Sequence, residues 1–262
     1  MKISCIIPTC NRNKYLIEAI NSVLAQTLLP NEIIIVNNGE GEVKIPDNIN
    51  QKVKIYNIIH FAGAAQARNF GASLASGDYL AFLDDDDYWS NKYIENVSVA
   101  IKNGAKCVLS CINLIKNGKV ISQKNPHNRI NLDNLLVHNP GAGGPNIVIE
   151  KETFFKVKGF DAKLTTSEDK SLIIELINNN VHVETLPDNY VFASRDTGVK
   201  RLTDAATIAE GISQFIKKYA DLMNKKQYLY NLSKIYYYRY KSGKKIAFFK
   251  YCILKLINYF IS

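Results

Sequence analysis

Phe82-Leu83-Asp84-Asp85-Asp86-Asp87-Tyr88-Trp89 is the stretch that decides how this chain is read. The apolar run Tyr79–Leu83 reads as a buried strand, and four carboxylates follow it directly. In open α/β sheets the carboxyl edge of the strands is where ligands bind. Like charges crowded there repel unless a cation offsets them. Hard divalent cations such as Mg2+ and Mn2+ take oxygen ligands, and Mg2+ commonly combines one or two carboxylates with substrate phosphates. The plainer alternative is a solvated acidic loop. The position at the end of an apolar strand favours the cation reading.

Working outward, the amino-terminal half alternates strand and helix patterns. Residues 3–7 form an apolar run ended by Pro8, and residues 14–27 place Leu16, Ile17, Ile20, Val23 and Leu24 on one helical face. Residues 32–36 are a second β-branched run, stopped by Asn37-Asn38-Gly39. Residues 53–59 give a third strand and 64–75 an Ala-rich helix, and Ser90 is placed to cap a helix to about Asn103. Continuous apolar strands in this order predict a mostly parallel sheet covered by helices on both faces. In the second half Asn117-Gly118 predicts a hairpin between 106–115 and 119–123. A loop is expected over 124–145, then a strand at 146–149 and a helix at 150–157. A further helix is expected over 168–179, strands at 181–186 and 190–194, and helices from 203 onward.

Composition narrows the function classes. The chain has 262 residues, 47% of them hydrophobic and 22% charged, and a net charge of +9. The charge is not spread evenly. Residues 217–262 hold 11 Lys and Arg against one Asp, so the remaining body is close to neutral. That distribution argues against a nucleic-acid binder. The five Cys are odd in number and show no metal-ligand spacing, which fits a reduced, cytoplasmic protein. No apolar run is long enough for a transmembrane helix. Neither a dinucleotide fingerprint nor a P-loop is present.

Three further segments carry candidate chemistry. Arg68, in Ala67-Arg68-Asn69-Phe70-Gly71, is placed either to reach an anionic ligand or to sit on a packing helix. The loop Pro8-Thr9-Cys10-Asn11-Arg12 and the loop Asn37-Asn38-Gly39 follow adjacent strands and would flank a base and ribose, though turn chemistry alone also accounts for them. Ser167-Glu168-Asp169 opens a helix; its acids either complement the helix end or supply a general base.

Taken together and in order, these segments resemble the family 2 glycosyltransferases over roughly residues 1–200. The resemblance implies the GT-A nucleotide-sugar-binding fold and an inverting, metal-dependent transfer from a UDP-sugar to a glycan hydroxyl. By that resemblance Asp84 and Asp86 match the D-x-D signature that holds Mn2+ or Mg2+, with Asp86 the direct ligand and Asp85 between them. Pro8, Thr9, Asn11, Arg12 and Arg68 match the nucleotide side, and Asn38 stands where the family recognises the base, its amide still able to accept from a uracil N–H. Gly159-Phe160-Asp161 followed by Glu168-Asp169 matches the acceptor side, with Asp169 the base and Glu168 its alternate. Two departures stand out: Asn37-Asn38-Gly39 replaces the usual Asp-Asp-Gly, and Arg195-Asp196-Thr197 replaces Arg-x-His.

The expected organisation is a catalytic domain over 1–202, with a nucleotide half (1–105) and an acceptor half (106–202), and a helical basic extension over 203–262. Basic residues and aromatics in 217–262 suit an anionic membrane surface; packing on the catalytic domain or a homodimer contact are the alternatives. The expected setting is the inner face of a bacterial plasma membrane, with a lipid-linked oligosaccharide as acceptor. Two other classes compete. A metal-dependent nucleotidyltransferase would want a Gly-rich basic loop after the first strand. A non-catalytic membrane- or glycan-binding relative would not need Asp84, Asp86 and Asp169 intact.

Overall fold

A computed structural model of the chain describes residues 1–47, 49, 53–194 and 204–260. Strands β1 (Ile3–Thr9), β2 (Glu32–Asn37), β3 (Val53–Asn57) and β4 (Tyr79–Phe82) pair in parallel in the order β3-β2-β1-β4. Helices α1 (Asn13–Leu24) and α2 (Ala64–Leu74) connect them. The apolar runs are continuous because both faces are covered. Ile6, Ile34 and Val36 join one core while Cys5, Ile7, Ile33 and Ile35 join the other. Gly71 lets α2 lie flat on the sheet, since a Cβ there would stand 2.6 Å from Ile6 Cγ2.

Pro8 does not end the first strand. β1 continues to Thr9, with Pro8 in register with Val36 of β2. Its pairing with β4 stops at Ile6 and Phe82, so the proline nitrogen costs that ladder no bond.

Residues 106–194 make the sheet mixed rather than mostly parallel. β8 (Ile147–Glu150) runs antiparallel to β4 and to β6 (Cys107–Lys116), and β9 (Val183–Ser194) runs parallel to β6. The acidic run itself ends in a short strand, β5 (Asp87–Trp89), antiparallel to β9. Ser90 therefore follows a strand, and helix α3 (Tyr93–Lys102) starts after Lys92. The expected hairpin forms between β6 and β7 (Lys119–Lys124), with Asn117 and Gly118 both at positive φ. The two strands expected at 181–194 are one; its register against β6 jumps from Leu186 to Tyr190, so Pro187–Asn189 bulge out. The loop over 124–145 contains a short helix, α4 (Leu132–Val137), capped by Asn131, whose side chain accepts from Asn134 N at 2.9 Å.

Helices α5 (Lys151–Lys156), α6 (Glu168–Asn178) and α7 (Ala205–Tyr219) follow. Phe215 and Tyr219 of α7 enter the same core as Phe154 and Phe160, so the extension begins inside the body of the fold. Helices α8 (Lys225–Lys241) and α9 (Ile246–Phe260) pack on one another beyond it. Arg195-Asp196-Thr197 lies outside the described residues.

Candidate active site

Strands β1 and β4 deliver the first wall of a cleft. Of the four aspartates, Asp85 and Asp87 are buried, and Asp85 turns inward onto the end of β1. It accepts from Thr9 Oγ1 at 2.8 Å and from Arg12 Nη1 at 3.3 Å. Burial pushes its pKa up to about 6, against the pull of Thr9 and Arg12. Asp85 thereby fastens the loop after β1 to the loop after β4. Asp84 and Asp86 turn outward. Asp86 Oδ2 lies 3.0 Å from Arg12 Nη1, and Asp84 Oδ1 lies 2.5 Å from Arg68 Nη2.

Arg68 spans the cleft. It is only 4% exposed, and its Nη1 donates to Glu168 Oε1 at 3.1 Å on the opposite wall. Its guanidinium also lies over the Phe160 ring, 5.3 Å from the centroid. Its buried Nε has no partner among the described residues. Burial disfavours its charge, but Asp84 and Glu168 more than restore it. Asn69 beside it binds the backbone of Phe160 at both ends, donating to the carbonyl at 2.7 Å and accepting from the N–H at 2.9 Å. The Ala67–Gly71 and Gly159–Asp161 segments thus meet through adjacent residues.

The second wall is the start of α6. Ser167 there adopts a left-handed φ of 71° and offers no side-chain cap. Asp169 Oδ1 accepts from Lys170 N at 2.6 Å. Burial, then the charge of Glu168, raise the Asp169 pKa well above the carboxylate range. Asp161 points elsewhere, pairing with Lys218 of α7 at 2.8 Å.

The cleft encloses about 390 Å³ and is lined by Arg12, Arg68, Asp84, Asp86, Glu168 and Asp169. A larger cavity of about 620 Å³ lies at the amino ends of β6 and β9, the opposite edge of the sheet, and holds none of this chemistry. Six of the residues expected from the sequence therefore converge. Pro8, Thr9 and Asp85 lie beneath the cleft as its support. Asn38 is buried, and its amide is satisfied when Nδ2 donates to Thr9 O at 2.6 Å and Oδ1 accepts from Gly63 N at 3.1 Å. Asn37 likewise donates to Gly41 O and Asn57 Oδ1, both at 2.9 Å. Asn11 takes a positive φ of 57° and rests on Gly39, where a Cβ would stand 2.6 Å from Asn11 N. The two asparagines thus build the loop.

Sequence reading missed Gly144 and Lys124, which also line the cleft, and gave Asp87 no role of its own within the acidic run. The signal for the first was the Gly141-Ala142-Gly143-Gly144-Pro145 run, whose density of glycine marks close backbone approach.

Asp84 and Asp86 give a hard oxygen pair that opens on the cleft. No group of three metal-ligating side chains converges among the described residues. Two carboxylates fit a Mg2+ or Mn2+ ion that takes its remaining ligands from a diphosphate and water.

A parallel amino-terminal half whose carboxyl edge carries acidic and basic groups, joined to a mixed carboxyl-terminal half, defines an α/β fold of the GT-A type. The chain matches the model of glycosyl transferase family 2 over residues 4–158, and it belongs to that family. An uncharacterized glycosyltransferase of Haemophilus influenzae is 30% identical over 186 residues, which is 67% of this chain and 62% of that protein. The Escherichia coli UDP-Glc:alpha-D-GlcNAc-diphosphoundecaprenol beta-1,3-glucosyltransferase WfgD is 26% identical over 182 residues, 68% of this chain and 70% of that protein. Among solved structures, Staphylococcus aureus TarS 1–349 in complex with UDP-GlcNAc superposes with a TM-score of 0.62 at 17% identity, covering 91% of this chain and 81% of that one. That likeness extends the shared fold past the family match into the helical extension.

Proposed function

We propose that the protein transfers a sugar from a UDP-sugar to a hydroxyl of a diphosphate-lipid-linked glycan in bacterial polysaccharide assembly, with inversion at the anomeric carbon. The observation that carries this is Arg68, held between Asp84 on the donor wall and Glu168 on the acceptor wall, with Asp169 beside it. The relatives' names support the donor and acceptor classes.

Residues 1–202 carry the chemistry in this reading. Arg12 and Arg68 face the diphosphate. Asp169 takes the acceptor hydroxyl proton as that oxygen attacks the anomeric carbon, and the bond to UDP breaks on the far side. A pKa raised toward neutrality suits a general base. Asp86, with Asp84 beside it, would hold Mn2+ or Mg2+, which supplies countercharge for the departing diphosphate. Glu168 orients Arg68.

The extension would hold the enzyme at the inner face of the plasma membrane. No helix among the described residues is long and apolar enough to cross a bilayer. On α9, however, Ile246, Phe249, Ile253 and Leu256 recur at helical spacing and are 76%, 70%, 55% and 60% exposed. An exposed apolar stripe beside lysines suits the boundary of an anionic leaflet.

Hydrolysis of UDP-Glc, UDP-Gal, UDP-GlcNAc and UDP-GalNAc, each with and without Mn2+, tests the reaction. Metal-stimulated release of UDP from one of them is expected. Release from none, together with no binding of UDP, would reject the reading.

A further inference from the structure

Behind the acceptor wall four basic side chains from four elements gather without an acidic partner. Tyr230 of α8 is the centre of three of them, and Lys170 feels the charge of Lys234. The His138 ring, just past α4, is 5.2 Å from the Tyr230 ring. Lys234 Nζ of α8 and Lys255 Nζ of α9 lie 5.6 and 6.0 Å from its centroid. Lys170 of α6 is only 5% exposed, with its Nζ 3.5 Å from the centroid of the Phe215 ring. Among the described residues, none of the four forms an ion pair with a carboxylate. Asp169, the chain neighbour of Lys170, gives it only a minor favourable influence.

An ordinary structural role accounts for one of these groups. Lys234 Nζ donates to Val137 O at 3.2 Å and so caps the end of α4. Lys170 has the face of the Phe215 ring as its structural partner, but that ring does not offset its burial close to a second cation. Burial, then Lys234, push the Lys170 pKa down to about 7, and burial lowers that of Lys234. His138 is lowered by burial and then by Lys234 and Lys170. Such a cluster is costly as it stands and becomes favourable when an anion enters.

Its placement specifies which anion. Lys170 follows Asp169 and His138 precedes Asn139, and both Asp169 and Asn139 line the cleft. Lys255 belongs to α9, the helix with the exposed apolar stripe. The cluster therefore lies between the cleft and the apolar face. We propose that Lys170, Lys234, Lys255 and His138 bind the phosphate of the acceptor's lipid linkage, placing the adjoining sugar at Asp169. This rests on the transferase reading given above, but the binding itself does not depend on catalysis.

Inorganic pyrophosphate in EDTA is the probe. Without a divalent ion the acidic donor loop repels it, whereas the cluster needs no metal. Calorimetric titration of the whole chain should show one pyrophosphate site. Lys234→Gln and Lys170→Met should each weaken it about tenfold or more, the range for a hydrogen bond to a charged group. His138→Gln changes a more exposed residue and should weaken it less, so it keeps the test open if a lysine variant misfolds. UDP binding in Mn2+, measured on the same samples, reports separately on the donor reading. Absence of pyrophosphate binding, or equal binding by parent and variants, would overturn the proposal. So would a Lys234→Gln variant that keeps pyrophosphate affinity and loses binding to phosphatidylglycerol vesicles, because the cluster would then serve bilayer headgroups.

Discussion

Gly144 lies flat against the Arg68 guanidinium: a Cβ at this position would stand 2.5 Å from Arg68 Cζ and 2.8 Å from Nε. The loop cannot back away. Trp89 Nε1 donates to Pro145 O at 3.0 Å, and Asn146 Nδ2 donates to Ser110 O and Gly141 O at 2.5 and 2.8 Å. Gly144→Ala should therefore move Arg68 off Asp84 and Glu168. We expect a loss of about 1–3 kcal/mol in stability, typical of overpacking, together with weaker UDP binding. Gly143→Ala, whose Cβ meets the end of the Ile112 side chain at 3.0 Å and otherwise nothing nearer than Pro145 Cδ at 3.5 Å, should cost less. Thermal melts and UDP titrations on the two variants check this. Equal effects would mean that the contact does not set Arg68.

The pairing of Arg68 with Gly144 shows where sequence reading stops. Strand and helix patterns revealed the parallel half because each apolar run is long and each turn is marked by Asn, Gly or Pro. Arg12, Arg68, Asp84, Asp86, Glu168 and Asp169 were legible as charged residues at the right ends of elements. What joins them was not. Asp85 reads like its neighbours, yet it turns inward onto Thr9, because Asp84–Asp87 form a tight turn closed by Asp87 N donating to Asp84 O at 3.2 Å, and nothing in four identical residues marks which one that turn points inward. Asn38 reads as a ligand group, but its amide satisfies Thr9 and Gly63. β5 was hidden because its pairing partner, β9, lies about a hundred residues away and local pattern carries no trace of it.

Asp86 and Asp85 should separate function from structure. Asp86→Ala leaves Arg12 paired with Asp85 at 3.3 Å, so the fold should hold. Its UDP affinity in Mn2+ should fall at least tenfold, about 1.4 kcal/mol, with little change in EDTA. Asp85→Ala unpairs buried Thr9 and loosens the β1 loop, and its melting temperature should drop. If Asp86→Ala binds UDP with unchanged metal dependence, Asp86 is not a metal ligand.

Asp169→Asn tests the base by two independent readouts. The variant cannot accept a proton, so turnover should fall at least ~100-fold with donor affinity kept. In the parent, turnover should climb with pH as Asp169 ionises, and that limb should vanish in the variant. Folding disfavours the ionised form, so Asp169 costs stability at pH values above its raised pKa and nothing below its ordinary value of 3.8. Asp169→Asn should accordingly melt higher than the parent at pH 8, and the gap should close by pH 4. A variant with near-parent turnover would move the base to Glu168.

Glu32 should set much of the acid stability of the parallel half. It accepts from Ser4 Oγ at 2.7 Å, Ser76 N at 2.6 Å, Ser76 Oγ at 2.7 Å and Lys54 Nζ at 2.9 Å. Burial opposes its charge, but these bonds together hold its pKa down from 4.5 to about 2. A lowered folded-state pKa gives stability that is present above pH 4.5 and lost as pH falls toward 2, roughly 3 kcal/mol in full. Glu32→Gln should therefore be less stable than the parent at pH 7, and the two should converge near pH 2. A constant stability difference between parent and variant at all pH values would show that folding does not shift the Glu32 pKa.

The outward face of α9 makes the last prediction. Its attraction to a bilayer has two parts with different salt responses. Lys244, Lys245 and Lys250 contribute a term of roughly 1 kcal/mol per charge near an anionic leaflet, screened within about 10 Å at 0.1 M salt. Phe249, Ile253 and Leu256 contribute an apolar term that salt does not remove. The protein should sediment with phosphatidylglycerol vesicles and much less with phosphatidylcholine vesicles, and high salt should weaken the first without abolishing it. Replacing the three lysines with Gln should remove the salt-sensitive part. Replacing Phe249, Ile253 and Leu256 with Ser should remove the salt-resistant part, and their high exposure means that the substitutions leave the core intact. Lys255 is kept in both variants, because it faces Tyr230 rather than the apolar stripe. If the serine variant sediments as well as the parent at high salt, the stripe does not enter the bilayer. If it also changes a dimer into a monomer, α9 is an interface between copies of the chain.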